Sequence, residues 1–230
     1  MRFSSSPSSY PHPVVPARHF ARALPALFAL ILVAVVAGPR SLLAQLPAIK
    51  VLDDAALRPP AGARVAIIEF DDLECPTCAH YNPLLRQAAE HYKIPLVQHD
   101  FIIPYHNWSR AAAIKARWFD TRSKTLGDDF RAAVFSDQPN IYNQGTLNQF
   151  AAQFARQHGV DMPFSVDPQG KFNSEVTADT DLGKRTGVDA TPTIFVVSSG
   201  PKGASYNQVL DPDRDLSRLI NQALDGTGSH

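Results

Sequence analysis

Residues 64–70, Arg-Val-Ala-Ile-Ile-Glu-Phe, form a short β-branched apolar run of the kind that fills a buried strand. They lead through Asp71-Asp72-Leu73-Glu74 into Cys75-Pro-Thr-Cys78, where a helical pattern begins and continues to about Tyr92. Pro76 falls in the first turn, where a missing N–H removes no helical hydrogen bond. Pro83 is expected to kink the helix further on. Residues 94–103 return to strand character until Pro104. The result is strand–helix–strand, with the two cysteines at the carboxyl end of the first strand.

Those are the only two cysteines in 230 residues. A bond between positions 75 and 78 closes almost no loop, so it can add little stability by constraining the unfolded chain. The pair is therefore read as chemical. A thiol attacks only as thiolate, and the free N–H groups and positive dipole end of a helix N-terminus stabilise an anion. Cys75 is expected at the N-cap as the exposed, attacking sulfur, facing the N–H groups of Thr77 and Cys78. Cys78, one turn in, is expected as the shielded resolving sulfur. Asp71, Asp72 and Glu74 would raise the Cys75 pKa if they pointed at it, and His80 could lower it if protonated. Asp71-Asp72 reads as a solvated loop end, and a depressed pKa is the expected balance. Glu69 interrupts the apolar run, so a buried carboxyl with a raised pKa is expected there, as proton acceptor for Cys78.

Beyond residue 104 the chain is mostly helical to about residue 185. Amphipathic stretches cover 108–121, 126–135, 146–158 (Thr146 as N-cap, Gly159 closing) and a weaker 167–185. Tyr105, Trp108, Trp118 and Phe119 could edge a groove, although aromatics at helical spacing more often fill a core. A second buried-strand run, 193–197, follows Ala190-Thr191-Pro192. After a turn at 199–203, residues 206–210 give a returning hairpin strand. The last helix spans 213–224, with Asp211 or Asp213 near its cap. This order predicts an α/β fold with a βαβ–ββα core in 64–230 and an inserted α-helical subdomain at about 105–185.

Residues 23–37 are apolar and uncharged, too short for the roughly 20 needed to cross a bilayer but suited to the core of an export signal. Residues 1–44 are read as a signal peptide or N-terminal membrane anchor, and 45–63 as a Pro/Ala-rich lead-in with a possible strand at 48–52. The domain is then periplasmic or otherwise extracytoplasmic. The first 44 residues carry Arg2, Arg18, Arg22 and Arg40 and no acid, so the remainder has 18 basic and 22 acidic residues. A net charge of −4 leaves no electrostatic footprint for nucleic acid.

The segment 67–78, Ile-Ile-Glu-Phe-Asp-Asp-Leu-Glu-Cys-Pro-Thr-Cys, resembles the first strand and active-site helix start of the thioredoxin superfamily, most closely its DsbA-like branch. Glu69 matches the acidic residue that family carries six places before the first cysteine, and Pro83 matches its helix-kinking proline. Gly187-Val-Asp-Ala-Thr-Pro-Thr193 resembles its cis-proline loop. The resemblance implies a thioredoxin-like fold, a cis Thr191–Pro192 bond and a monomeric exported thiol:disulfide oxidase that uses no cofactor, metal or nucleotide. It implies catalysis by Cys75, Cys78 and Glu69. Candidate substrate-binding residues are Thr191 and Pro192, whose backbone edge could pair with an extended peptide, with Pro76, Thr77 and His80 around the cysteines. Implied partners are unfolded or cysteine-containing exported proteins and a quinone-linked, DsbB-like or VKOR-like membrane redox partner. Pro-Thr between the cysteines lacks the histidine typical of the strongly oxidising branch. A reductase or isomerase of the same fold therefore stays open, as does a Cu(I)-binding protein using both cysteines and His80.

Overall fold

Strands β1 (Val65–Asp71), β2 (Leu96–Asp100), β3 (Thr193–Gly200) and β4 (Gly203–Val209) form one sheet in the order β2-β1-β3-β4. β1 runs parallel to β2 and antiparallel to β3, and β3 runs antiparallel to β4. Helix α1 (Pro76–Tyr92) joins β1 to β2. Helices α2 (Ser109–Asp120), α3 (Lys124–Asp137), α4 (Gln144–Gln157) and α5 (Lys171–Arg185) separate β2 from β3, and α6 (Pro212–Thr227) closes the chain. The computed structural model describes residues 57–200 and 203–228, all within the unit Ile49–His230. The expected signal or anchor, the short strand at 48–52 and part of the 199–203 turn lie outside the described residues. Among the described residues no helix is long and apolar enough to cross a membrane.

All seven residues of β1 are buried, because helices cover both faces of the sheet. Side chains alternate along a strand, which divides them between two cores. Val65 and Ile67 pack with Leu85 and Ala88 of α1 and with Leu216, Leu219 and Ile220 of α6. Ala66, Ile68 and Phe70 pack on the opposite face with Phe101, Leu182 of α5 and Val188. Leu57, within the expected lead-in, is buried in this second core and so belongs to the folded domain. Gly183 permits the close seating of α5, since a Cβ there would lie 2.5 Å from the Phe101 ring and 3.1 Å from Phe70. The α2–α4 block has a third core, built on Trp108, Phe119, Phe130 and Phe154. Leu73, Cys75 and Cys78 belong to it, so the cysteines lie where the sheet meets the helical block.

The fold matches the expected βαβ–ββα core with a helical insertion. Trp108, Trp118 and Phe119 fill the core, as aromatics at helical spacing more often do, and of the four only Tyr105 is exposed. Pro83 lies inside α1, which continues as helix to Tyr92. Two local expectations are corrected. Thr146 does not cap α4: Asn143 does, and Thr146 is its partner three residues on, each side chain accepting from the other's backbone N–H. α5 begins at Lys171, and Asp167 accepts from the N–H groups of Phe172 and Asn173 to cap it. Replacing the α4 cap, Asn143→Ala, is expected to cost about 1 kcal/mol in urea unfolding, with no effect on the cysteine chemistry.

Candidate active site

The first turn of α1 is set by hydrogen bonds from three directions. The Cys75 N–H donates to the Asp72 carbonyl (2.8 Å), which tightens the loop leaving β1. The Cys75 carbonyl accepts from the Ala79 N–H (3.1 Å), the first bond of the helix. Gln138, in a short 3₁₀ turn after α3, donates its amide to the carbonyls of Leu73 (2.8 Å) and Cys75 (3.1 Å). Cys75 is the N-cap residue, with extended backbone (φ −81°, ψ 119°), as expected.

Asp72 and Glu74 do not point at the thiol. Asp72 is buried, contrary to the solvated loop expected, and accepts from the N–H groups of Glu74 and Ile103, both at 2.8 Å. His106 Nδ1 lies 3.0 Å from it. Glu74 accepts from the N–H groups of Trp108 (2.7 Å) and Ser109 (3.0 Å), satisfying donors at the start of α2 that have no partner within the helix. These acids tie the active-site loop to the insertion and leave the helix dipole unopposed. A single sequence cannot separate this arrangement from a solvated acidic loop, because both need the same residue types.

Cys75 is 7% exposed and Cys78 is fully buried, so the order of shielding is as expected although Cys75 is less open than anticipated. Both are free thiols. The Cys75 thiol donates to the Thr191 carbonyl at 3.4 Å. Its pKa is lowered to about 5, chiefly by a hydrogen bond from the Cys78 thiol. Burial opposes this, and donation from the Thr191 side chain and the N–H groups of Cys78 and Thr77 adds to it. Cys78 moves the other way. Burial pushes its thiol far up, reinforced by its bond to Cys75 and by the charges of Asp71, Glu69 and Cys75. One sulfur is thus a ready thiolate at neutral pH and the other holds its proton.

The Thr191–Pro192 peptide bond is cis, as expected, and places Thr191 against Cys75. Pro76 and Thr77 are exposed at the mouth of the site. His80 is exposed with its ring against Tyr81 (centroids 4.8 Å apart), as a solvated helix residue. Among the described residues no three of His, Cys, Asp and Glu gather as metal ligands.

Glu69 is fully buried, as the apolar run predicted. Its Oε2 accepts from Gln98 Nε2 (3.2 Å), and its Oε1 has no hydrogen-bond partner. Its pKa is pushed up to about 8, first by burial and also by the Cys75 charge, with Gln98 opposing. Sequence reasoning missed Asp71, Gln98 and Gln138. For Gln98 a signal existed: it occupies the same alternating face of β2 as Leu96, directly opposite Glu69.

Comparison with known proteins agrees with this geometry. Residues 60–209 match the family described as thioredoxin. The disulfide bond formation protein D of Bacillus subtilis is 26% identical over 164 residues, covering 64% of this chain and 70% of that protein. The structure of oxidised BdbD from Bacillus subtilis superposes with a TM-score of 0.59 at 19% identity, covering 74% of this chain and 92% of that one. The thiol-disulfide exchange protein α-DsbA2 of Wolbachia pipientis gives a TM-score of 0.56 at 17% identity, covering 72% and 84% respectively.

Proposed function

This chain belongs to the thioredoxin family, and from that premise we propose that it is an exported, DsbA-like thiol:disulfide oxidoreductase that forms disulfides in cysteine-containing proteins outside the cytoplasm. The observation that carries this reading is the asymmetry of the two sulfurs: Cys75 is lowered to about 5 at the helix start, while burial holds Cys78 protonated one turn behind. A stabilised thiolate favours the dithiol form of the enzyme and so makes its disulfide a better oxidant.

In the oxidised enzyme a substrate thiolate attacks Cys75 Sγ. The Cys75–Cys78 bond breaks, and the Cys78 sulfur leaves with the electron pair and takes a proton from Glu69. A second substrate thiolate attacks the substrate sulfur of the mixed disulfide and releases Cys75 as thiolate. The substrate loses two electrons and gains a disulfide; the enzyme gains them as one thiolate and one thiol. Return to the disulfide needs an electron acceptor, in the role of the quinone-linked membrane partner. Thr191 and Pro192 offer the backbone edge for an extended substrate segment, with Pro76, Thr77 and exposed His80 beside it. The apolar run 23–37 supports export, by cleaved signal or retained anchor.

Equilibration of the purified protein with glutathione tests this function. A reduction potential well above thioredoxin's, about −270 mV, is expected. A value near thioredoxin's would indicate a reductase, and retention of copper through chelation with no exchange activity would indicate a metal carrier. Glu69→Gln, which keeps the shape but removes the group that gives Cys78 its proton and takes it back when the disulfide re-forms, is expected to slow exchange about fivefold at pH 7 in stopped-flow traces. An unchanged rate would remove Glu69 from the mechanism.

A further inference from the structure

Glu69 has a neighbour that the proposed mechanism does not use. Asp71 lies two residues on, on the same face of β1, and is 1% exposed. Both carboxyls meet one side chain: Gln98 Nε2 donates to Glu69 Oε2 at 3.2 Å and to Asp71 Oδ2 at 2.6 Å. The amide nitrogen carries two hydrogens, enough for one bond to each acid. No full positive charge is placed between the acids, so ionising both leaves two anions about one neutral donor in the interior. Two carboxyls so placed resist losing their second proton.

The surroundings give this pair a way to exchange its proton. Gln98 lines a cleft of about 280 Å³ with Arg86 and Glu90 of α1, Leu96 of β2, and Thr125 and Asp128 of α3. The charged groups acting on Asp71 come from each packed element. Glu69 of β1 and Asp100 of β2 disfavour its ionisation, and Arg131 of α3 favours it. Asp71 in turn bears on Cys78 of α1. Asp100 is itself paired with Arg117 of α2 (2.7 Å), and Arg131 is held by Asp120 (2.7 and 2.9 Å), so neither partner is wholly spent on Asp71.

We propose that Asp71 is a positioning residue that shares one proton with Glu69 across the Gln98 amide, and that this proton reaches solvent through the cleft between α1 and α3. The inference rests on the proposed exchange function, in which Glu69 hands that proton to the departing Cys78 sulfur. Glu69 works with a reserve: once it has given up its proton, the pair can be refilled from the side away from the substrate. Burial raises both acids, which keeps the pair loaded at neutral pH.

The test compares the full chain with Asp71→Asn and Gln98→Leu, reading the pH profile of exchange between pH 5 and 9. Asn at position 71 leaves a single carboxyl, which releases its proton without a neighbouring anion, so the upper inflection moves down by about one pH unit. Leu at position 98 removes the donor that steadied both anions, so the inflection moves up. Opposite displacements are the expected result. No displacement in Asp71→Asn, or the same direction in both, overturns the proposal. The infrared band of protonated carboxyls, titrated over the same range without turnover, decides the point independently: a lower midpoint in Asp71→Asn supports the shared proton and an unchanged one overturns it. If the chain carries out no exchange at all, the proposed function fails while the infrared titration still reads the pair. Gln98→Leu examines the same link from β2 should Asp71→Asn not fold.

Discussion

Cys75→Ser will bring dithiol oxidation by the purified protein down to the uncatalysed rate, a loss on the order of 10³-fold or more. The substitution is nearly isosteric and leaves the helix start intact, since Ser is a favoured N-cap residue. What disappears is the less buried of the two thiols, 7% exposed against none for Cys78, and the one whose anion is stabilised. Cys78 cannot substitute for it, being fully buried beneath the first turn, with its thiolate opposed by burial and by the charges of Asp71 and Glu69. Cys78→Ser has a different outcome. Cys75 remains able to form a mixed disulfide, but nothing resolves it, so a covalent adduct with a thiol probe should accumulate and be seen as added mass. Iodoacetamide at pH 6 should likewise label Cys75 and spare Cys78 in the dithiol protein. Retention of dithiol oxidation by Cys75→Ser would falsify the assignment of roles, and labelling of Cys78 first would reverse it.

Much of this site was legible because its parts are local in sequence. The strand, acidic loop and helix start lie within residues 64–78, and their periodicity and proline placement predict the N-cap thiol and the buried Glu69. The core topology followed from the element order and the resemblance. The remainder depends on contacts across long sequence separations. Gln138 reaches the Cys75 carbonyl from the end of α3, and Glu74 caps α2 from the active-site loop. Asp71 and Asp72 show the limit most plainly. Adjacent acids before a helix read as a solvated loop end, yet both are 1% exposed, because β2 and the segment just after it lie against them and supply donors from the Gln98 side chain and the Ile103 backbone. The burial of a polar residue is decided by what folds over it, and that information sits elsewhere in the chain.

The second large effect is a pH dependence that separates the dithiol from the disulfide form. Cys75 titrates near 5 in the folded dithiol protein against an ordinary value of 9.0, so its folded pKa is depressed. Its contribution to stability is complete above the unfolded value and is lost as pH falls through the folded one. Taken whole, a thiolate lying two pH units below pH 7 stabilises the fold by about 2.7 kcal/mol at that pH. Cys75 itself is only 7% exposed, but it lies at the outer end of α1 next to exposed Pro76 and Thr77, so solvent screens part of its charge and about half of that is expected. Most should disappear between pH 7 and 5. Glu69 runs the opposite way: its pKa is raised, so it favours the fold at low pH and costs stability as pH rises from 4.5 towards 8. Glu69 is present in both redox forms, whereas the thiolate exists only in the dithiol form. The difference between urea unfolding of the dithiol and disulfide proteins therefore cancels the burial effect on Glu69 and reads Cys75 together with the smaller part of the Glu69 shift that the Cys75 charge causes. That difference should shift against the dithiol form by about 1 kcal/mol between pH 7 and 5, after the same screening discount. A difference that stays constant over that range would mean that Cys75 is not a thiolate at neutral pH, and the oxidising character would need another source.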